Sequence, residues 1–167
     1  AGTATVAYEL AAQRDWAVPD AVVTPLGHGT LFLGAYRGFR ALYEAGWTDG
    51  VPQLLGAQAA GVAPIADELH GDDTPGAGRN DAADGIQITE PVQREAILAA
   101  IEATDGDAIA VDEATTEREA DRLARRGVHV EPTSAVATAA LETYRDRGVL
   151  DPGDDVVVAL TGSGLKG

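Results

Sequence analysis

The fold is decided by the stretch Val22-Val23-Thr24-Pro25-Leu26-Gly27-His28-Gly29-Thr30, which continues into the apolar run Leu31-Phe32-Leu33. Its apolar start predicts a buried β-strand, its Gly-X-Gly centre predicts a tight turn, and its end predicts the first turn of a helix. A strand-turn-helix unit directs free backbone N–H groups at one point, with the positive end of the helix dipole behind them. Such a point binds phosphate without any basic side chain. An ordinary connection from strand to helix has the same pattern, so the stretch alone leaves both interpretations open.

Length and composition predict one domain spanning residues 1–167. The chain is long enough for a real core and short for two domains. Hydrophobic residues make up 45% of it and aromatic residues only 5%, which predicts a core built mainly from Ala, Val, Leu and Ile. No run approaches the roughly 20 apolar residues of a membrane span, and no leader opens the chain, so we expect a cytoplasmic protein. Without cysteines, no disulfide or thiolate chemistry is expected.

The chain is strongly acidic, with 27 Asp and Glu residues against 12 Lys and Arg residues and a net charge of -15. A field of this sign repels nucleic acid and anionic membranes, so neither is an expected partner. The acidic residues follow no calcium-loop spacing, which favours a solvated acidic surface over a binding patch. Because salt screens self-repulsion, such a surface suits a high-salt cytoplasm, and we hold a halophilic origin as a hypothesis.

Apolar runs and helical patterns alternate along the chain, which predicts an α/β fold with a mostly parallel sheet covered on both faces. Each predicted strand is a continuous apolar run rather than an alternating one. The predicted strands are residues 21–25, 52–58, 107–112, 128–130 and 155–160. The predicted helices are residues 3–14, 30–45, 63–69, 91–103, 115–126 and 132–147. Gly34 and Gly38 lie four residues apart within one of these helices, which predicts close packing of another backbone against them.

Three polar segments follow predicted strands, at residues 27–30, 131–134 and 161–164. In parallel sheets, ligands bind outside the carboxyl ends of the strands, so all three segments are expected along one edge. This coincidence favours a binding site at the opening turn. His129, inside a predicted strand, is expected to be a core residue. Residues 70–85 form a long loop rich in Gly, Pro, Asp and Asn, which fits either a mobile functional segment or a tolerated insertion.

Several common sites are excluded by their missing signatures. The three histidines share no metal-ligand spacing, and no Gly-X-Ser-X-Gly elbow is present. No Gly-Lys-Ser/Thr follows a glycine-rich turn, and Gly27 and Gly29 lack the third glycine of a dinucleotide fingerprint. A phosphate site without these signatures fits a cofactor or substrate that carries one phosphate.

Four motifs, in this order and spacing, resemble those of the threonine synthase family. The opening Gly2-Thr3-Ala4-Thr5-Val6-Ala7-Tyr8-Glu9 is similar as well, and the resemblance covers essentially the whole chain. Related dehydratases and cysteine synthases share the glycine turn but end differently, so the closing motif is the most specific. The four motifs are Pro25-Leu26-Gly27-His28-Gly29-Thr30-Leu31, Gln58-Ala59-Ala60-Gly61-Val62-Ala63-Pro64-Ile65, Glu131-Pro132-Thr133-Ser134-Ala135 and Leu160-Thr161-Gly162-Ser163-Gly164-Leu165-Lys166.

This resemblance implies the large domain of a fold-type-II pyridoxal-phosphate enzyme, with three-layer α/β/α architecture. It implies that Gly27, His28, Gly29 and Thr30 bind the phosphate of pyridoxal 5'-phosphate and that the Thr161 hydroxyl meets the pyridine nitrogen. A neutral hydroxyl there leaves the pyridine unprotonated and the ring a weaker electron sink. His28 departs from the family, which more often has Asn at this position. Glu131 either lines the same cleft or caps the helix behind it.

The family's Schiff-base lysine lies in the amino-terminal half, in a Ser-Phe-Lys-Asp type motif that this sequence lacks. Lys166 belongs to the closing motif and cannot replace it. The resemblance therefore implies that the chain is the carboxyl-terminal part of a longer enzyme, with no catalytic residue of its own and no activity alone.

The intact enzyme is expected to be a homodimeric lyase of threonine biosynthesis that converts O-phospho-L-homoserine and water to L-threonine and phosphate. Two alternatives stay open from the sequence. One is another fold-type-II enzyme, such as a serine or threonine dehydratase or a cysteine synthase. The other is a non-catalytic domain that binds a phosphate ligand.

Overall fold

The computed structural model describes residues 2–76 and 78–164. Strands and helices alternate through most of this length, as the sequence predicts. The strands are β1 (Ala21–Pro25), β2 (Gln53–Ala59), β3 (Asp107–Val111) and β4 (Val156–Val158). The helices are α1 (Thr5–Gln13), α2 (Thr30–Glu44), α3 (Pro64–His70), α4 (Arg94–Ala103), α5 (Glu113–Ala124) and α6 (Pro132–Asp146). Short 3-10 turns cover Gly2–Ala4, Gly71–Asp73 and Asp84–Ile86.

The strands form one parallel sheet in the order β3-β2-β1-β4, which confirms the predicted α/β class. Within it, Val23 of β1 pairs with Leu55 of β2 on one side and with Val158 of β4 on the other. All described strands therefore end at the same edge, and β1 and β4 end side by side.

The predicted strand at residues 128–130 is wrong. This segment lies outside the sheet, and Val130 forms only an isolated antiparallel bridge with Ser163. Val128 and His129 are exposed, so the prediction of a core histidine is also wrong. The segment pairs its backbone with the chain beyond β4, since Gly164 N–H donates to the His129 carbonyl at 3.1 Å.

Helices cover both faces of the sheet and make a three-layer structure. On one face, β1 residues such as Val23 pack with the α6 residues Val136, Ala140 and Tyr144. On the other face, Val22 and its neighbours pack against α1, α2 and α4. Alternate residues of a strand point to opposite faces, and both faces are covered, so apolar residues are favoured at nearly every position of a strand. This explains the continuous apolar runs in the sequence.

Gly34 and Gly38 allow the start of the chain to lie directly on α2, which confirms the packing prediction. A Cβ at Gly34 would lie 2.7 Å from the Thr3 carbonyl oxygen, and one at Gly38 would lie 2.6 Å from the Ala4 carbonyl oxygen. Any larger residue at either position would force α1 away from α2.

The long 70–85 connection packs along β3, an edge strand of the sheet. Ala110 N–H donates to the Pro75 carbonyl at 3.0 Å, in the manner of a strand neighbour. Asn80 is fully buried, and its amide donates to the Val111 carbonyl at 2.9 Å and to the Thr116 hydroxyl at 2.8 Å. The described part of this connection therefore covers an edge that would otherwise be open to pairing.

Candidate functional site

The turn after β1 presents the uncapped start of α2. Gly29 is the N-cap residue, with φ of 79°, and no side chain of the described residues caps the helix. Leu33 N–H bonds to the Gly29 carbonyl at 2.8 Å, so the N–H groups of Thr30, Leu31 and Phe32 have no partner within the helix. His28 and Thr30 are exposed, whereas Gly29 is buried. The first turn contains no acidic residue, so the helix dipole favours an anion here.

Neighbouring residues pack closely around both glycines of the turn, and more tightly around Gly29 than around Gly27. A Cβ at Gly27 would lie 3.3 Å from the Ile86 Cα and 3.3 Å from the Ile88 Cγ1. A Cβ at Gly29 would lie 2.7 Å from the Ile97 Cγ1, and closer still to the Cδ1 of that side chain. The turn therefore packs against α4 on one side and against residues 85–88 on the other.

Gln58 holds the backbone at the start of the glycine turn through a hydrogen bond to Leu26. This side chain is fully buried at the end of β2, and its amide donates to the Leu26 carbonyl at 3.4 Å. Its oxygen accepts from Ile65 N–H at 2.9 Å and Ala66 N–H at 3.0 Å, in the first turn of α3. Sequence reasoning did not single out Gln58 for a role, although a lone amide near the end of an apolar strand was an available signal.

Thr161 leaves the sheet beside the glycine turn. Ala159 N–H donates to the Val23 carbonyl at 3.0 Å, which holds the chain beyond β4 alongside β1. Thr161 itself is exposed, and its hydroxyl lies 3.3 Å from the hydroxyl of the buried Ser134. The Ser134 oxygen also accepts from Gly162 N–H at 2.7 Å. The start of α6 is thereby attached to the segment that carries Thr161.

Glu131 lies in this same contact and does not cap α6 through its side chain. A Cβ at Gly162 would lie 2.5 Å from the Glu131 Oε2, so the carboxylate rests against the glycine backbone. Glu131 N–H donates to the Gly162 carbonyl at 3.1 Å. Glu131 is thus the N-cap residue of α6, because its carbonyl accepts from Ser134 N–H at 2.9 Å and from Ala135 N–H at 3.1 Å. Its carboxylate lies against Gly162, the residue next to Thr161, so each of the two interpretations of Glu131 holds in part.

The three polar segments meet at one edge of the sheet, as predicted. Residues 27–30 and 161–164 follow adjacent strands, and residues 131–134 join them through Gly162. Residues 85–88 lie between the glycine turn and the start of α6. A Cβ at Gly85 would lie 3.1 Å from the Thr133 hydroxyl. The segment 85–88 thus touches both the glycine turn and the start of α6.

Other features of the described chain lie elsewhere. His70 pairs with Asp107 at 2.6 Å, away from the glycine turn, and no group of three potential metal ligands occurs among residues 2–76 and 78–164. A groove of about 440 Å³ between α5 and α6 shares no residue with the three polar segments or with residues 85–88. No helix in the described ranges has the length and apolar character that crossing a bilayer demands. Leu165 and Lys166, the end of the closing motif, lie outside the described residues.

The donors at this edge suit pyridoxal 5'-phosphate. Three convergent backbone N–H groups at a positive helix end match a phosphate monoester. A threonine hydroxyl can donate to a neutral ring nitrogen. The glycine turn therefore fits the phosphate end of such a cofactor, and Thr161 has the chemistry to bind its ring nitrogen.

The parallel α/β fold and this donor set are compatible with the binding of pyridoxal phosphate. The chain matches the family described as "Pyridoxal-phosphate dependent enzyme" over residues 1–162, and it belongs to that family. Pyridoxal phosphate is the cofactor of this family.

Among curated proteins, the chain is similar to enzymes named threonine synthase. It is 35% identical to that of Methanosarcina acetivorans and 33% identical to that of Methanocaldococcus jannaschii, in each case over 99% of this chain and 42% of the relative. It is 34% identical to threonine synthase 2, chloroplastic, of Arabidopsis thaliana, over 99% of this chain and 33% of that one. The chain thus spans about two fifths or less of the length of these relatives.

Solved structures confirm the fold-type-II architecture. The maize serine racemase superposes with a TM-score of 0.75 at 19% identity, over 99% of this chain and 48% of that chain. The serine racemase of Dictyostelium discoideum superposes with a TM-score of 0.73 at 23% identity, over 99% of this chain and 50% of that one. These likenesses concern the fold alone.

Proposed function

We propose that this chain is the carboxyl-terminal part of a threonine synthase. The intact enzyme converts O-phospho-L-homoserine and water to L-threonine and phosphate. The observation that carries this proposal is the 33–35% identity to threonine synthases over 99% of the chain. The uncapped glycine turn and the neighbouring threonine hydroxyl support it, because they supply suitable donors for the cofactor of that reaction.

In this proposal Gly27, His28, Gly29 and Thr30 bind the cofactor phosphate. The two glycines shape the turn, while backbone N–H groups at the start of α2 supply hydrogen-bond donors that do not depend on the protonation of a side chain. The exposed His28 imidazole replaces the amide of an asparagine and adds one more possible donor. Thr161 binds the pyridine nitrogen from the neighbouring strand end.

The covalent anchor for the cofactor lies outside these 167 residues in this proposal. Lys166 is the single lysine of the sequence and belongs to the closing motif that contains Thr161. The coverage of about two fifths of each archaeal relative supports a longer intact enzyme. We infer that the 167 residues form one α/β domain, bind part of the cofactor and do not turn over alone.

The experiment measures phosphate release from O-phospho-L-homoserine by the chain alone and by the intact polypeptide that contains it. We expect release only from the intact polypeptide loaded with pyridoxal phosphate. Gly29→Ala in the intact polypeptide should lower release, because it distorts the turn. Gly46→Ala is the matched control, since Gly46 has a similar φ of 74° and nothing within 4 Å of an added Cβ.

Each other outcome contradicts a distinct part of the proposal. Turnover by the isolated chain would show that the catalytic lysine lies within it. No phosphate release by the intact polypeptide, with ketoacid formed from threonine instead, would identify a threonine dehydratase. Absence of any reaction together with binding of phosphate ligands would support the non-catalytic alternative.

The proposed enzyme works as a homodimer in a salt-rich cytoplasm. The net charge of -15 supports the salt dependence, because like charges repel least when ions screen them. The urea midpoint of unfolding should therefore rise from dilute buffer to molar potassium chloride. A midpoint that is highest in dilute buffer would contradict the halophilic assignment.

A further inference from the structure

Ser134 occupies a position from which it can set the direction of the hydrogen bond made by Thr161. Its side chain is 1% exposed and lies in the first turn of α6. Its oxygen has two neighbours among the described residues, Gly162 N–H at 2.7 Å and the Thr161 hydroxyl at 3.3 Å. The backbone N–H can only donate a hydrogen bond, whereas the threonine hydroxyl can donate or accept one.

The first neighbour determines what the serine can do with the second. A serine hydroxyl has one hydrogen and two acceptor positions. Gly162 N–H occupies one acceptor position, and the hydrogen of the serine hydroxyl still needs an acceptor of its own. If Thr161 donated to Ser134, that buried hydrogen would have no acceptor, which costs free energy. The favoured arrangement is therefore donation from Ser134 to the Thr161 oxygen.

With its oxygen engaged by Ser134, Thr161 directs its own hydrogen outward. The chain of donors then runs from Gly162 N–H through Ser134 to Thr161 and ends at the hydroxyl hydrogen of Thr161. The Glu131 carboxylate lies on the same glycine, but no hydrogen bond joins it to Thr161 among the described residues. The exposed hydroxyl is thus left to donate to a ligand.

We propose that Ser134 is a positioning residue that makes Thr161 a hydrogen-bond donor to an unprotonated pyridine nitrogen of the cofactor. This inference rests on the proposed function, because it takes Thr161 as the partner of the ring. It adds a residue that acts on the cofactor through Thr161. The 3.3 Å separation between the hydroxyls is long for such a bond, and binding of the ring should shorten it.

The test uses two probes that cannot form a covalent bond with lysine. One is 4'-deoxypyridoxine 5'-phosphate, and the other is its 1-deaza counterpart, in which C–H replaces the ring nitrogen. Calorimetric titration gives the affinity of each probe for the 167-residue chain. The ratio of the two affinities isolates the contact to the nitrogen and cancels the contribution of the phosphate.

The unmodified chain should bind the nitrogen-containing probe roughly tenfold more tightly, the value of one good hydrogen bond. Ser134→Ala should reduce this ratio to about two or three and leave the affinity for the deaza probe unchanged. Thr138→Ala is the matched control, since Thr138 lies on the same helix and donates to the Ala135 carbonyl at 2.9 Å. It should preserve both affinities.

The outcomes separate this inference from the proposed function. A full preference retained by Ser134→Ala would overturn the role of Ser134 and leave the site intact. An unmodified chain that binds both probes equally would overturn the role of Thr161 and, with it, that of Ser134. Failure to bind either probe would contradict the proposed phosphate site and this inference together.

A spectroscopic measurement covers the case in which Ser134→Ala does not fold. The ¹⁵N chemical shift of the labelled ring nitrogen, measured on the probe bound to the unmodified chain, distinguishes a pyridine from a pyridinium. We expect the shift of a hydrogen-bonded, unprotonated pyridine. The shift of a pyridinium would overturn the proposal, since a protonated nitrogen needs an acceptor rather than a donor.

Discussion

Gly29→Ala tests whether the glycine turn depends on this residue for both its backbone and its packing. The left-handed φ of 79° costs any residue with a Cβ about 1–2 kcal/mol. The new Cβ would also lie 2.7 Å from the Ile97 Cγ1 and nearer to its Cδ1, and overpacking of this kind costs about 1–3 kcal/mol. The expected loss is therefore roughly 2–5 kcal/mol, a large part of the 5–15 kcal/mol that typically stabilises a domain.

Urea unfolding of the 167-residue chain measures this loss against two controls. Gly46→Ala has the same backbone penalty without the clash, so it should cost only about 1–2 kcal/mol. Ile97→Val removes the Cδ1 atom, so Gly29→Ala should cost about 1 kcal/mol less in that background than in the unmodified chain. A loss no larger than that of Gly46→Ala, or one insensitive to Ile97→Val, would refute the packing argument.

Three further substitutions test the buried polar groups. Gln58→Met should destabilise by about 2–4 kcal/mol, because it leaves two N–H groups of α3 and the Leu26 carbonyl without partners; urea unfolding checks this. Tyr144→Phe should cost about 1–2 kcal/mol, since the buried hydroxyl donates to the Gly56 carbonyl at 2.6 Å. Burial, and then the charge of a nearby aspartate, raise the pKa of Tyr144 well above 10. As pH rises, the unfolded chain therefore loses this proton before the folded chain does, and this group should lower the stability above about pH 10. This contribution should be absent in Tyr144→Phe. Thr24→Val should stabilise by about 1 kcal/mol, because the buried hydroxyl has no partner among the described residues; a lower urea midpoint would contradict this.

The sequence predicted the layered fold because its dominant signal was simple. Strands β1, β2 and β3 lie within a sheet covered on both faces, and such strands are apolar at nearly every position. The edge on which the polar segments meet follows from parallel topology alone. Periodicity therefore sufficed to place the glycine turn and Thr161 on the same edge of the sheet, whereas their position on neighbouring strands follows from the strand order in the structure.

The sequence could not predict which apolar run joins the sheet. Residues 128–130 look like a strand, but their backbone pairs with residues 162–164, which lie more than thirty residues further along the chain. The same limit applies to Ser134 and Asn80, whose partners are distant in sequence. Such contacts depend on three-dimensional proximity, and no local pattern encodes them.

The most direct test of the account concerns the phosphate at the glycine turn. The measurement compares the affinity of the 167-residue chain for 4'-deoxypyridoxine 5'-phosphate with its affinity for 4'-deoxypyridoxine, which differs only in the missing phosphate. Charge-assisted hydrogen bonds from the start of α2 should make the phosphate ester bind at least about 100-fold more tightly, or about 2.7 kcal/mol. Gly29→Ala should remove most of this difference and Gly46→Ala should keep it. Equal affinities of the unmodified chain for the two compounds would contradict the central claim.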